Sequence, residues 1–196
     1  MVLRRKSNPV LDEVLARQPG FVEAVVADAR VSAAHRMERN QFRSGLDTFL
    51  QILRLMWVSD AFAAQVSYRA RACLRAKGVP ILPMLAHRVS MVLAQVSIGD
   101  PVLIHPGFYL PHGQVVIDGV VEIHPGVTIR PWVTIGLKEG NIYGPTIKGG
   151  AKIGTGAKVF GPVTVGARAM VGANAVVVKD VPDGATVAGV PARVVA

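Results

Sequence analysis

The sequence contains very little cysteine, few aromatic residues and no uninterrupted apolar run long enough to span a membrane. Cys73 is the only cysteine among 196 residues, which excludes an internal disulfide and a metal site built from several cysteines. The most apolar long segment, Val79 to Ile98, contains His87, Arg88 and two prolines. We therefore expect no membrane span, although a hydrophobic content of 51% is ample for a folded core.

The positive charges do not by themselves identify a partner. A net charge of +9 suits either an extended anionic polymer or a small ligand with several phosphates. Nucleic-acid binding is not predicted, because no basic stripe interleaved with aromatic residues is found. The basic N-terminal residues Arg4, Arg5 and Lys6 are not followed by the apolar run of a secretory signal, so we expect a cytoplasmic protein.

A repeat of six residues dominates the second half of the chain. Its leading aliphatic residues are Ile98, Ile104, Leu110, Ile117, Ile123, Ile129, Ile135, Ile147, Ile153, Val159, Val165, Val171 and Val177. In an amphipathic α-helix the apolar positions would recur about every 3.6 residues, and in an ordinary amphipathic strand they would recur every two residues. A period of six residues, sustained over the second half of the chain, predicts short strands joined by tight turns. Three such units close one triangular coil, and the aliphatic side chains stack inside it.

Two interruptions of the repeat are informative. The step from Leu110 to Ile117 is seven residues, so the coil accommodates one extra residue near His112. A bulge at this position would turn the His112 side chain away from the regular surface. The step from Ile135 to Ile147 is twelve, and its polar, Gly-rich centre predicts an exposed loop over 137–146.

The first half of the chain has a different pattern. Its apolar residues recur at helical spacing, which predicts an α-helical domain over 1–95 followed by a β-helix over 96–196. The open end of a β-helix exposes unpaired backbone groups, so the helices are expected to cap it. The predicted fold class is mainly β.

The repeat, the Pro-His-Gly segment around His112 and the ending AGVPARVV (188–195) together resemble the serine O-acetyltransferase branch of the hexapeptide acyltransferases. The similarity extends back to Phe62 and includes Gln65, Tyr68 and Arg69. This resemblance implies a left-handed parallel β-helix and a homotrimer with active sites between subunits, a hexamer through the helical cap being left open.

The resemblance also implies acetyl-CoA as cosubstrate, no metal and a small hydroxylated acceptor. His112 matches the catalytic histidine, and a neutral imidazole is suited to deprotonate a hydroxyl that attacks a thioester. The positions that match cofactor contacts are Gly136, Thr155, Ala173, Lys179 and Arg193. Lys179 and Arg193 could bind the phosphates of the nucleotide, because the lysine ammonium supplies a compact positive charge and the arginine guanidinium can donate two parallel hydrogen bonds.

The sequence departs from the family pattern where serine would be recognised. Pro111 stands where an Asp normally precedes the histidine, Ser97 replaces an Asp earlier in the coil, and Pro145 is not preceded by an Arg-His pair. Substitute carboxylates could come from Asp100, Asp118 or Glu122. The chain also stops shortly after Arg193, so no complex with a sulfhydrylase is expected.

Three other functions compete with transfer to serine. A sugar or polysaccharide precursor is an alternative acceptor, and a trimeric scaffold without catalysis is another possibility. A γ-class carbonic anhydrase would use three histidines, two of them five residues apart, but His105, His112 and His124 are separated by seven and twelve. His105 and His124 lie in identical Ile-His-Pro-Gly segments and are interpreted as turn residues.

Overall fold

The computed structural model describes residues 8–196, and residues 1–7 of the predicted helical domain lie outside the described part. Helices occupy the first half of the described chain. They are α1 (Pro9–Ala16), α2 (Phe21–His35), α3 (Gly45–Val58), α4 (Asp60–Ala76) and α5 (Leu82–Ala94). Residue Ser59 ends α3 and caps α4, where its Oγ accepts a hydrogen bond from the backbone N–H of Phe62 at 3.2 Å.

Short strands form three parallel sheets that are the three sides of a β-helix. Sheet A contains β1 (Val96–Ile98), β3 (Val115–Ile117), β6 (Thr134–Gly136), β9 (Lys158–Phe160) and β12 (Val176–Val177). Sheet B contains β2 (Val102–Ile104), β4 (Val120–Ile123), β7 (Tyr143–Ile147) and β10 (Thr164–Val165). Sheet C contains β5 (Thr128–Ile129), β8 (Lys152–Ile153), β11 (Met170–Val171), β13 (Thr186–Ala188) and the antiparallel β14 (Arg193–Val194).

The core is the stacked column that the six-residue repeat predicted. All thirteen leading aliphatic residues are buried, none of them more than 3% exposed. Equivalent residues lie directly above one another, as in the register of Ile117 with Ile135 and of Ile135 with Val159. Each side chain therefore packs against the neighbouring coils, which makes the repeat itself the source of the hydrophobic core.

The corners of the coils leave little space for side chains. A Cβ atom added to Gly154, which follows the buried Ile153, would lie 2.6 Å from the carbonyl oxygen of Val171 in the next coil. Small residues after the leading aliphatic residue are therefore required by the close approach of successive coils.

The exposed loop is shorter than predicted. Residues 137–142 leave the helix after β6, but Tyr143–Ile147 form strand β7 on β4. The prediction of a loop up to residue 146 is therefore wrong. Gly144 and Pro145 look like turn residues in the sequence, yet both are buried, and a Cβ on Gly144 would lie 2.6 Å from Val121 Cγ2.

Helix α4 caps the open end of the β-helix, as the sequence predicted. Four of its side chains, Gln65, Tyr68, Arg69 and Arg71, donate hydrogen bonds to main-chain carbonyls of the first coil. The acceptors are the carbonyl oxygens of Ile98, Val102, Ile104, His105 and Phe108. Buried carbonyls without partners are costly, so these contacts are what allow the first coil to end under a helix rather than under another coil.

The cap is held by a buried ion pair. Arg69 donates from Nε to Asp28 Oδ2 at 2.9 Å and from Nη2 to Asp28 Oδ1 at 3.2 Å. The carboxylate also accepts hydrogen bonds from the backbone N–H groups of Gly107 and Phe108. Burial raises the pKa of Asp28, and Arg69 together with the two amides opposes that shift. The pair thus joins α2, α4 and the first coil.

Replacement of Arg69 with Met should destabilise the protein strongly, because it leaves the buried Asp28 carboxylate and two carbonyls without their donor. Removal of one partner of a buried pair typically costs about 3–5 kcal/mol. Urea unfolding followed by circular dichroism measures this loss. The control Arg39→Met breaks the exposed pair with Asp47 and should change stability far less; equal losses in the two variants would show that the cap does not depend on Arg69.

Candidate active site

The corner that carries His112 contains one residue more than its counterparts. Residues 111–114 connect the Tyr109–Leu110 side of the coil to β3, whereas three residues, 130–132, make the same corner one coil further on. The imidazole of His112 is exposed on this corner. The step of seven residues in the sequence therefore corresponds to one additional residue at this corner.

Backbone contacts fix this corner against the helical cap. Gln114 has a positive φ of 58°, and its N–H donates to the carbonyl oxygen of Ala94, the last residue of α5, at 2.8 Å. The N–H of Trp132 donates in turn to the Gln114 carbonyl at 2.8 Å. Gly113 approaches the end of α5 so closely that an added Cβ would lie 1.8 Å from the Ala94 oxygen.

His112 lines a cleft of about 470 Å³ between the helical cap and the β-helix. Its walls are the end of α2 at Arg36, the junction of α3 and α4 at 58–61, the end of α5 at 92–95, and two corners of the β-helix at 111–114 and 131–132. This volume is within the range of small-molecule sites. The cleft therefore brings an exposed imidazole to a ligand-sized space.

Two charged side chains share the cleft with His112. Asp60 is the first residue of α4, and no ion pair involving it is found within 8–196. Arg36 lies on the opposite helical element and pairs through Nε with Glu38 at 3.1 Å. A carboxylate at the N-terminus of a helix is also favoured by the helix dipole. The cleft nevertheless offers one anion and one cation to a bound molecule.

The carboxylates proposed from the sequence lie elsewhere. Asp100 pairs with Arg71 and Arg75 of α4. Asp118 accepts a hydrogen bond from the N–H of Gly119 and lies beneath Gly99, and Glu122 contacts His105. Sequence reasoning missed Asp60, because its place in the cleft depends on how α4 packs on the β-helix and not on any local motif. No hydrogen-bond partner of the His112 imidazole is found in the described part of the chain.

The five predicted cofactor positions lie at three places on the β-helix. Thr155 and Ala173 are exposed at successive levels of the corner that leads into sheet A, and the N–H of Asn174 donates to the Thr155 carbonyl. Gly136 ends β6 at the opposite edge, where it pairs with Phe160. Lys179 and Arg193 line one groove of about 230 Å³ near the C-terminus.

His105 and His124 stand in neighbouring coils at the corner between sheets B and C. Their rings stack with centroids 4.8 Å apart, and both Nε2 atoms face Glu122 Oε1, at 2.8 Å for His105 and 3.8 Å for His124. Partial desolvation and the neighbouring His105 lower the pKa of His124. The structure does not bring His112 to this pair, because His112 is at the corner between sheets C and A, so the three histidines do not meet within one chain.

Comparison with known proteins identifies the family. No protein-family model matches the chain. The serine acetyltransferase of Escherichia coli strain K12 is 30% identical over 198 residues, which cover 100% of this chain and 72% of that protein. The chain belongs to the serine acetyltransferase family. The serine acetyltransferases of Bacillus pumilus and Bacillus subtilis are 44% and 48% identical over 117 and 101 residues.

The matches to the Bacillus serine acetyltransferases cover only 54% and 46% of those proteins, so the chain spans about half the length of these relatives. Two solved serine acetyltransferase structures resemble the whole fold. A complex with CoA has a TM-score of 0.72 at 28% identity and covers 96% of this chain and 79% of that one. A complex with cysteine has a TM-score of 0.74 at 28% identity and covers 97% and 75%.

The predicted fold is confirmed as a left-handed parallel β-helix with N-terminal α-helices, shared with solved serine acetyltransferases. Within residues 8–196, the helices lack the combination of length and hydropathy that a membrane span requires.

Substitution of Gly113 with Ala should disturb the site, because the added methyl group would overlap the Ala94 carbonyl and push the His112 corner off α5. Overpacking of this kind typically costs about 1–3 kcal/mol. Thermal unfolding and limited proteolysis near residue 112 measure the effect. The control Gly45→Ala adds a methyl group with nothing within 4 Å, and an equally destabilised control would refute the role of the close approach.

Proposed function

We propose that this protein transfers the acetyl group of acetyl-CoA to the hydroxyl of serine, with His112 as general base. The observation that carries the proposal is the exposed His112 imidazole in a ligand-sized cleft, in a chain that belongs to the serine acetyltransferase family. The family supplies the reaction class, and the cleft supplies a place for it.

The chemistry follows from the weak nucleophilicity of a hydroxyl. The imidazole of His112 takes the hydroxyl proton as the oxygen attacks the thioester carbonyl, so that the new C–O bond forms as the proton leaves. The tetrahedral intermediate then breaks its C–S bond and releases CoA thiolate, which receives the proton from the imidazolium. The products are the O-acetyl ester and free CoA, and no other reactant is needed.

The acetyl donor is supported by a solved relative and by the charges of this chain. A serine acetyltransferase of the same fold has been solved with CoA. In this chain Lys179 and Arg193 share one groove, where two cations could meet the nucleotide phosphates. Thr155, Ala173 and Gly136 would leave room for the pantetheine arm beside the backbone amides of sheet A.

Serine as acceptor is supported by the charges in the His112 cleft. A structurally similar serine acetyltransferase has been solved with cysteine, which differs from serine only by sulfur in place of oxygen. Pro111 and Ser97 have no carboxylate to pair with the ammonium group of such a molecule. Asp60 and Arg36 offer the pair of charges that a zwitterion requires, from the helical cap instead of from the coil.

The proposed active unit is a homotrimer in which a neighbouring β-helix closes the site. The His112 corner is exposed in the single chain, and the cleft is open to solvent, which suits completion by a second subunit. We place the reaction in the cytoplasm, where acetyl-CoA is available. Oligomeric state is measurable by sedimentation equilibrium.

Replacement of His112 with Ala should reduce kcat for acetyl transfer by at least about 100-fold, because the hydroxyl loses its base. CoA binding should stay within about twofold, since the imidazole acts on the acceptor. Release of free thiol measures the first effect and calorimetry with CoA the second. The control His35→Ala changes an exposed histidine stacked on Tyr109; His112→Ala turnover equal to that of this control would contradict the mechanism.

Replacement of Lys179 and Arg193 together with Ala should weaken CoA binding by about tenfold or more, because two cations near the phosphates are lost. Dephospho-CoA, which has one phosphate fewer, should lose less affinity than CoA in this variant. The matched control Lys152→Ala removes an exposed lysine from sheet C. Equal CoA affinity in the wild type and the double variant would exclude this groove as the nucleotide site.

A further inference from the structure

One cluster of possible metal ligands lies outside the candidate active site. His105, Glu122 and His124 come from two successive coils, and each offers a ligand atom within 4.8 Å of the others. The hexapeptide repeat creates this arrangement, because His105 and His124 both directly follow a buried isoleucine and therefore stack. Glu122 stands two residues before His124 on the outer face of β4, where it faces both rings.

The distances are close to those of a coordinated ion. A tetrahedral ion with bonds of 2.0–2.1 Å holds neighbouring ligand atoms about 3.3 Å apart. The two histidine Nε2 atoms lie 2.8 Å and 3.8 Å from Glu122 Oε1, on either side of that value. The ligand atoms of the three residues all lie within 4.8 Å of one another. Coordination would require both histidine nitrogens to shift by about 0.5 Å relative to Glu122 Oε1 and to reach a similar separation from each other. Both rings are only partly exposed, at 31% and 36%, so they are already confined.

The ligand set favours a divalent transition metal. Two imidazoles with one carboxylate suit zinc and its neighbours rather than magnesium or calcium, which prefer oxygen ligands. Three protein ligands leave one position for water. The neighbouring coils are held rigidly by the column of isoleucines beneath the histidines, which preorganises both rings.

A nearby cation competes for the same carboxylate. Arg17, at the end of α1, donates from Nη2 to Glu122 Oε1 at 2.8 Å. Its side chain is 48% exposed, and exposed ion pairs of this kind contribute little to stability. Arg17 can therefore turn into solvent when an ion takes its place. Lys148 is exposed in the next coil, and its charge would lower the affinity without blocking the ligands.

We propose that His105, Glu122 and His124 form a binding site for a divalent transition-metal ion of the zinc type. The site lies at the corner between sheets B and C and takes no part in the acetyl-transfer chemistry of His112. The bound ion links the first two coils through His105 and His124. It also replaces Arg17 as the positive charge beside the Glu122 carboxylate.

The test uses the untagged full chain and Zn²⁺ alone. Calorimetry should show one ion bound per chain, with affinity at least about tenfold weaker in each of His105→Ala, His124→Ala and Glu122→Gln. Zn²⁺ should also raise the unfolding temperature of the wild type, since it binds the folded state, and not that of the variants. Ni²⁺ and Co²⁺ should bind at the same site, and Mg²⁺ should not.

Two histidine variants serve as controls. His35→Ala removes an exposed stacked histidine, and His112→Ala removes the histidine of the cleft; both should keep the affinity of the wild type for Zn²⁺. If a His→Ala variant does not fold, the double variant His105→Asn with Glu122→Gln replaces it. Absence of Zn²⁺ binding by the wild type, equal affinity in the cluster variants, or loss of binding in His112→Ala would each overturn the proposal.

Discussion

The open edge of the first coil is the constraint on which the rest of this structure depends. Every inner coil satisfies its backbone through the coils on either side, but the first coil has a neighbour on one side only. Helix α4 meets this requirement with side chains, and the Asp28–Arg69 pair locks that helix in place. The helical segment and the β-helix also share one hydrophobic core, to which Ala61, Ala64 and Tyr68 contribute.

The candidate active site is a consequence of this cap. The cleft exists because α2, α4 and α5 are held at fixed positions over the corner of His112. The backbone hydrogen bond from Gln114 to Ala94 ties the end of α5 to the residue two positions after His112. The position of the helices therefore affects the position of the His112 corner. Helical packing and the geometry of the cleft are therefore coupled, although Arg69 itself does not line the cleft.

The sequence predicts the β-helix well because its repeat is a one-dimensional signal. The position of each leading aliphatic residue in the repeat predicts that the residue is buried, and the step of seven residues near His112 predicts the irregular corner. The extent of the loop was predicted less well, since Tyr143 and Thr146 pair with Val120 and Glu122 of β4 without any apolar pattern of their own.

The surroundings of His112 could not be predicted from spacing. Asp60 and Arg36 reach the cleft only through the packing of helices whose order along the chain gives no hint of their contact. In the same way, His105 and His124 read as turn residues in the sequence, and only the stacking of coils shows that they share Glu122. The features that the sequence did not predict are those that depend on contacts between residues far apart in the chain.

The most direct test of serine transfer at this cleft compares acceptors by release of thiol from acetyl-CoA. The account predicts the highest kcat/KM for L-serine, with marked losses for glycerate, which lacks the amino group that Asp60 would hold, and for ethanolamine, which lacks the carboxylate that Arg36 would hold. Equal rates with all three, turnover with sugars alone, or no thiol release with any acceptor would contradict it.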